Sequence, residues 1–211
     1  MTDIYVNFSI KMPRIKVVAD KLKKGEIVAM PADTIYGLFG LAGKEKAVKK
    51  IATLKNRDEK KPFIILIAAW SHLRELGIKT DKKMEKTLRQ IWPGPISVIL
   101  PSQGKRFYYL RYKQNLAVRW PRNKFLTALI KKTGPLVSTS ANQSGQPPAT
   151  TAPAAKKIFD DQVGLYLSAK RQKEKKASTL IKLKNNKVEV IRLGQISIKK
   201  LRKKLNQYDF I

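Results

Sequence analysis

The chain has 211 residues, enough for one large or two small domains, and its 43% apolar content is enough for a real core. It contains no cysteine, which excludes disulfides, thiolate catalysis and a Cys-ligated metal. Its single histidine, His72, excludes a His-rich metal cluster and argues against a Ser-His-Asp triad. Lys and Arg number 45 against 15 Asp and Glu, and the resulting formal charge of +30 draws polyanions at low salt. The first predicted element is a helix over 14–24, with Ile15, Val18, Ala19 and Leu22 on one face and Gly25 as its end. A strand over 26–30 runs up to Pro31, and a second helix over 44–54 points Ala47, Val48 and Ile51 inward. Phe63–Ile67 is a nearly continuous apolar strand, the pattern of burial on both faces. Helical patterns over 71–76, with His72 on the surface at its start, and 81–91 lead to Trp92-Pro93-Gly94-Pro95, a rigid turn. Strands are expected at 96–100, 107–112 and 116–120, then a helix at 123–132 and a strand at 136–140. A helix near 151–159 and a short strand at 164–167 precede the charged stretch 169–177, expected to be a mobile loop. A hairpin of 179–184 with 187–193 and a basic helix over 197–205 complete the chain.

This mixture, without strict alternation or internal repeat, predicts one α/β domain with a twisted, mixed parallel and antiparallel sheet flanked by helices. The domain is expected over 14–211, with 1–13 as an N-terminal extension. No run reaches the roughly 18 apolar residues of a membrane span, and MTDIYVNFSIKMPRIK lacks a signal peptide's plan, so a cytoplasmic location is expected. The basic residues spread from Lys11 to Lys204, which fits either a solvated lysine-rich surface or a nucleic-acid partner.

Five segments carry polar groups within or beside the apolar strands. Pro135–Ala152, PLVSTSANQSGQPPATTA, runs from a buried strand into Ser138, Ser140, Asn142 and Gly145. Hydroxyl and amide donors beside glycine suit phosphate or oxyanion recognition, and the same stretch also reads as a loop before a helix capped by Thr150 or Thr151. Pro31–Leu38, PADTIYGL, places Asp33 and Thr34 just past a strand, either as a ligand loop or as a self-bonded turn. Lys55–Pro62, KNRDEKKP, is either a Lys/Arg fork around polyphosphate or a set of cations at a helix C-terminus. Arg119, within the apolar strand AVRWP, needs a carboxylate from the protein or a ligand if it is buried. Ser178-Thr179-Leu180 and Arg192-Leu193-Gly194 bracket the last hairpin. No P-loop and no G-x-G-x-x-G occurs, so scattered Lys, Arg, Ser and Thr groups must hold any nucleotide.

Taken in order, PADTIYGL, KNRDEKKP, WPGP, AVRWP, STSANQSG and the closing STL and RLG resemble the motifs of the YrdC-like family, the threonylcarbamoyl-AMP synthases, over about residues 14–196. The resemblance implies a YrdC-like, DHBP-synthase-like fold with a concave basic cleft. It implies an enzyme that makes threonylcarbamoyl-AMP and pyrophosphate from L-threonine, bicarbonate or CO2, and ATP, as a nucleotidyltransferase. It also implies Mg²⁺ held mainly through the ATP phosphates, and a partner transferase complex that modifies adenosine 37 of tRNA. Carried over, Thr34, Arg119, Ser138 and Ser178 would hold threonine; Lys55, Arg57, Lys61, Ser140, Asn142 and Arg192 would hold ATP, with Lys55 and Arg57 catalytic. Ala32 stands where the family usually has Thr, and Leu66 where longer relatives often have His. An RNA-binding or ribosome-maturation protein of the same fold is the alternative, with Phe107–Tyr112 as its aromatic patch, and a YciO-like paralogue is another.

Overall fold

A computed structural model describes residues 12–57, 62–168, 176–184 and 186–211. The expected helix 14–24 is α1 (Met12–Lys23), with Ile15, Val18, Ala19 and Leu22 all buried, as its spacing requires. Gly25, at φ +87°, takes the left-handed conformation that glycine adopts without steric cost just past the helix. Strands β1 (Val28–Pro31) and β2 (Tyr36–Leu41) follow, then α2 (Glu45–Leu54), β3 (Ile64–Leu66), α3 (Ser71–Glu75) and α4 (Lys82–Ile91). Next come β4 (Ile96–Pro101), β5 (Asn115–Arg119), α5 (Lys124–Thr133), β6 (Leu136–Ser140), α6 (Ala152–Phe159) and β7 (Leu165–Tyr166). The chain closes with β8 (Thr179–Lys184), β9 (Lys187–Arg192), α7 (Ile198–Lys204) and β10 (Asp209–Phe210).

Pro31–Leu38 spans the tip of an antiparallel β1–β2 hairpin whose turn is bonded to its own backbone, with Ala32 N donating to Ile35 O. Two expectations need correction. The expected strand at 107–112 is instead a 3-10 turn over Tyr108–Leu110, closed by Leu110 N to Phe107 O and Arg111 N to Tyr108 O. His72 does sit at a helix start, but it is half-buried and its Nδ1 accepts from Ala68 N at 3.3 Å.

The strands form one mixed sheet in the order β10-β9-β8-β4-β5-β3-β6-β2-β1-β7. Pairs β3–β5 and β4–β8 are parallel, while β2–β6, β3–β6 and β4–β5 are antiparallel. Successive side chains along each strand point to opposite faces, so the sheet presents two different surfaces. Ile65, Val98, Val118, Val137 and Ile181 form one face, packed with Val48, Leu73, Leu88, Phe159 and Leu201 from α2, α3, α4, α6 and α7. On the other face, Phe39, Leu66 and Leu136 pack under α1 and α5. Among the described residues, β4, β5, β8 and β9 contribute nothing to that second core. The two helices therefore cover one end of the face, and a cleft occupies what lies beyond them. Ala32 and Leu66, the two departures from the family pattern, are both buried in the α1/α5 core.

Candidate active site

Strand β6 shows how the sequence builds the cleft. Leu136, Ser138 and Ser140 share one face of the sheet by strand alternation. Leu136 is wholly buried under α1 and α5, while Ser138 and Ser140 emerge beyond the helices as half-buried hydroxyls. Register sets Ser138 against Ile64 of β3, and Leu66 pairs with both Leu136 and Arg119. The result is a cleft of about 450 Å³. Thr34, Arg57, Arg119, Ser138, Ser140, Ser178 and Arg192 all line it, together with apolar Ile64, Leu180 and Ile191. Seven of the ten residues named from the sequence thus meet in one place, although they come from distant parts of the chain. Lys55 and Asn142 lie beside the cleft rather than in its lining, and Lys61 falls outside the described residues.

Arg119 is 3% exposed at the end of β5. Its Nη1 donates to Asp33 Oδ1 at 2.8 Å, and Asp33 Oδ2 accepts from Arg122 N at 3.0 Å. The need for a carboxylate at this buried arginine is therefore met in part by the protein. Arg119 Nε is also buried and has no hydrogen-bond partner among the described residues. An arginine offers five N–H donors in a rigid fork, so its Nε edge has room for a second, planar acceptor. Asp33 is the partner of Arg119 that motif reading did not assign: a small polar group in a turn gives no sign of a contact 86 positions away.

Lys55 is 2% exposed and differently engaged. Its ammonium donates to Ser140 O at 2.7 Å, to Asn142 O at 2.5 Å and to Asn142 Oδ1 at 3.0 Å. An ammonium has three N–H donors, so all are matched. Asn142 Nδ2 in turn donates to Gln143 O and Gln146 O, and Ser144 N donates to Lys55 O. Lys55 and Asn142 thus form the hub that shapes the 140–146 loop. Burial, followed by the nearby charge of Arg57, lowers the Lys55 ammonium to about 8. Arg57 donates from Nη2 to Pro62 O at 2.8 Å and from Nη1 to Thr139 Oγ1 at 3.4 Å, and its guanidinium lies 4.6 Å from the centre of the Phe63 ring.

The third wall comes from the last hairpin. Arg192 Nη2 donates to Ser178 O at 2.9 Å and to Ser178 Oγ at 3.3 Å, and Ser178 Oγ lies 2.8 Å from Ser97 Oγ. Burial, then the charge of Arg119, lowers the Arg192 guanidinium from its ordinary value. Three arginines therefore line the cleft, and no acidic residue is among its described lining. Such a surface attracts an anion, and the hydroxyls around it can orient one. Gly194 lets the rim close, because a Cβ there would run into Ala177 O and the backbone of Ser178 and Thr179. Thr151 meanwhile caps α6 by accepting from Ala154 N, so the capping reading holds beyond the cleft while Ser138 and Ser140 stand within it.

Residues 20–194 match the family model of the Sua5, YciO and YrdC proteins, described as "Telomere recombination". The threonylcarbamoyl-AMP synthase of Bacillus subtilis is 34% identical over 153 residues, covering 71% of this chain and 44% of that protein. That of Chromobacterium violaceum is 31% identical over 170 residues, covering 80% of this chain and 88% of that protein. Among solved structures, Sua5 of Pyrococcus abyssi complexed with L-threonine matches with a TM-score of 0.87 at 27% identity, over 100% of this chain and 63% of that one. The chain thus spans less than two-thirds of the two longer relatives and most of the shorter one.

Proposed function

The chain belongs to the Sua5/YciO/YrdC family, and from that premise we propose that it is an L-threonylcarbamoyladenylate synthase. The observation that carries this reading is Arg119, whose buried fork donates once to Asp33 and whose Nε lacks a partner among the described residues. A free amino acid's carboxylate is the planar acceptor that completes it, with Thr34, Ser138 and Ser178 close enough in the same cleft to orient the rest of threonine. ATP lies along the Arg57, Ser140 and Arg192 wall, with Asn142 shaping that wall and Lys61 completing the Lys/Arg set.

The threonine amine adds to the carbon of CO2 with release of a proton, or to that of bicarbonate with release of water, to give a carbamate, and a carbamate oxygen attacks the α-phosphorus of ATP. The bond from that phosphorus to the bridging oxygen breaks, and pyrophosphate departs. This chemistry asks the protein for alignment and for charge stabilisation, not for a covalent nucleophile. Three arginines offset the repulsion between two anions, which fits a chain with no cysteine and one remote histidine. Among the described residues no three His, Asp or Glu side chains gather to hold a cation. Mg²⁺ would therefore arrive on the nucleotide phosphates, where it neutralises charge. The product passes to a transferase complex acting on adenosine 37 of tRNA.

The aromatic patch gives the RNA-reading alternative little: of its four rings Phe107 is buried and Tyr109 donates from its hydroxyl to Ala42 O at 2.6 Å, which leaves Tyr108 and Tyr112 as the exposed pair. No described helix is long and apolar enough to cross a membrane. The test is pyrophosphate release from ATP by the purified chain. Release that requires both threonine and bicarbonate is expected; release independent of threonine, or none, refutes the reading.

A further inference from the structure

We propose that Asp33 is a positioning residue for the amino-acid substrate: it fixes the Arg119 guanidinium so that its Nε edge faces the cleft, without itself touching ligand. The inference rests on the reading of the cleft as a threonine site. Three observations carry it. Both carboxylate oxygens of Asp33 are engaged, Oδ1 by Arg119 Nη1 at 2.8 Å and Oδ2 by Arg122 N at 3.0 Å. Its side chain is 11% exposed, and Asp33 is absent from the cleft lining while its neighbour Thr34 is present. Its main-chain carbonyl accepts from Gln195 Nε2 at 3.4 Å, which ties the β1–β2 tip to the loop that carries Gly194.

This geometry differs from a simple ion pair. An arginine held at Nη1 keeps one long edge of its fork, Nε and Nη2, for a second planar acceptor. Asp33 is held in its turn by Arg122 N, so it cannot rotate toward the cleft without giving up that bond. The pair also keeps a buried cation matched before substrate arrives, which an unpaired arginine would not be. Asparagine at this position has one acceptor oxygen where the carboxylate has two, so it can serve Arg119 or Arg122 N but not both.

The experiment compares wild type, Asp33→Asn, Arg119→Lys and the double variant by calorimetric titration with L-threonine and, separately, with ATP. Asp33→Asn is expected to weaken threonine binding about 10- to 100-fold, the loss of one charge-assisted hydrogen bond, and to leave ATP affinity within about threefold. In the Arg119→Lys background Asp33→Asn should add little, because the group it positions is gone. Wild-type threonine affinity in Asp33→Asn, or full additivity in the double variant, overturns the proposal. Unchanged ATP binding shows that the variant is folded. A second readout needs no substrate: the ¹⁵N-arginine Nε–H signal that vanishes in Arg119→Lys should be slow to exchange in wild type and fast in Asp33→Asn. If the wild type binds no threonine, the functional reading fails, and this signal alone still decides whether Asp33 fixes Arg119.

Discussion

Lys55, at the end of α2, and Arg119, at the end of β5, are both buried cations, 2% and 3% exposed, yet they are matched in different ways. Lys55 has three donors and three acceptors, all supplied by the 140–142 segment. Arg119 has five donors, one of them matched by Asp33 and one, Nε, buried with no partner among the described residues. The first arrangement is complete without ligand and the second is not. The difference teaches that a basic motif and an open donor are separate matters: Lys55 gives its donors to the 140–142 segment, while Arg119 keeps a buried Nε with no partner among the described residues. A direct phosphate contact from Lys55 requires one of its three bonds to be given up.

The largest effect that can sharpen this contrast is expected at Arg119. Arg119→Lys keeps a cation for Asp33 but removes the planar fork, and should lower kcat/KM for threonine by about 10²- to 10³-fold. The same variant should leave amide exchange in the 141–149 loop unchanged. Lys55→Met should do the reverse. Without ATP present, exchange at the amides of Ser144 and Ala149, which bond to Lys55 O and Ala141 O, should quicken roughly tenfold as buried acceptors lose their donors. Normal loop protection in Lys55→Met, measured by hydrogen exchange, would return Lys55 to a purely ligand-contacting role.

How much of this contrast can be read from sequence depends on distance along the chain. Apolar spacing locates α1, α2 and α5 because helical periodicity is local, and the ordered motifs locate seven cleft residues. Strand β2, Tyr36–Leu41, escapes because YGLFGL has two glycines and is buried on both faces, so it lacks the alternation that marks a half-exposed strand. Phe107–Tyr112 has strand-like composition, but its backbone closes local i to i+3 bonds. The partners of Lys55 are mainly main-chain carbonyls 85 and 87 positions away, which no side-chain motif can encode. Arg119 is legible as a need for a carboxylate and, through the resemblance, as a threonine contact; that Asp33 meets part of the need depends on where the tip of the β1–β2 hairpin falls.

Two smaller effects extend the comparison. Gly194→Ala should destabilise the fold by about 1–3 kcal/mol, because its Cβ meets backbone at Ala177–Thr179 and not a flexible side chain. Thermal unfolding checks the loss, and a weakened threonine KM would follow from displacement of Ser178. The pH dependence of ATP binding gives the smallest effect. Lys55, lowered to about 8, is charged at pH 7 and loses its proton as pH rises past that value. A polyphosphate nearby favours the charged form and raises the value again. ATP affinity should therefore be highest below pH 8 and weaken by about tenfold at most by pH 9. Titrations of Lys55→Met across the same range should be flat.

The central claim, that Arg119 completes its fork on a substrate carboxylate, is tested most directly by titrating the wild-type protein with L-threonine and with L-threoninol, which has the same side chain and amine but no carboxylate. L-threonine is expected to bind and L-threoninol to bind about 100-fold more weakly or not at all. Equal affinity for the two would contradict the account.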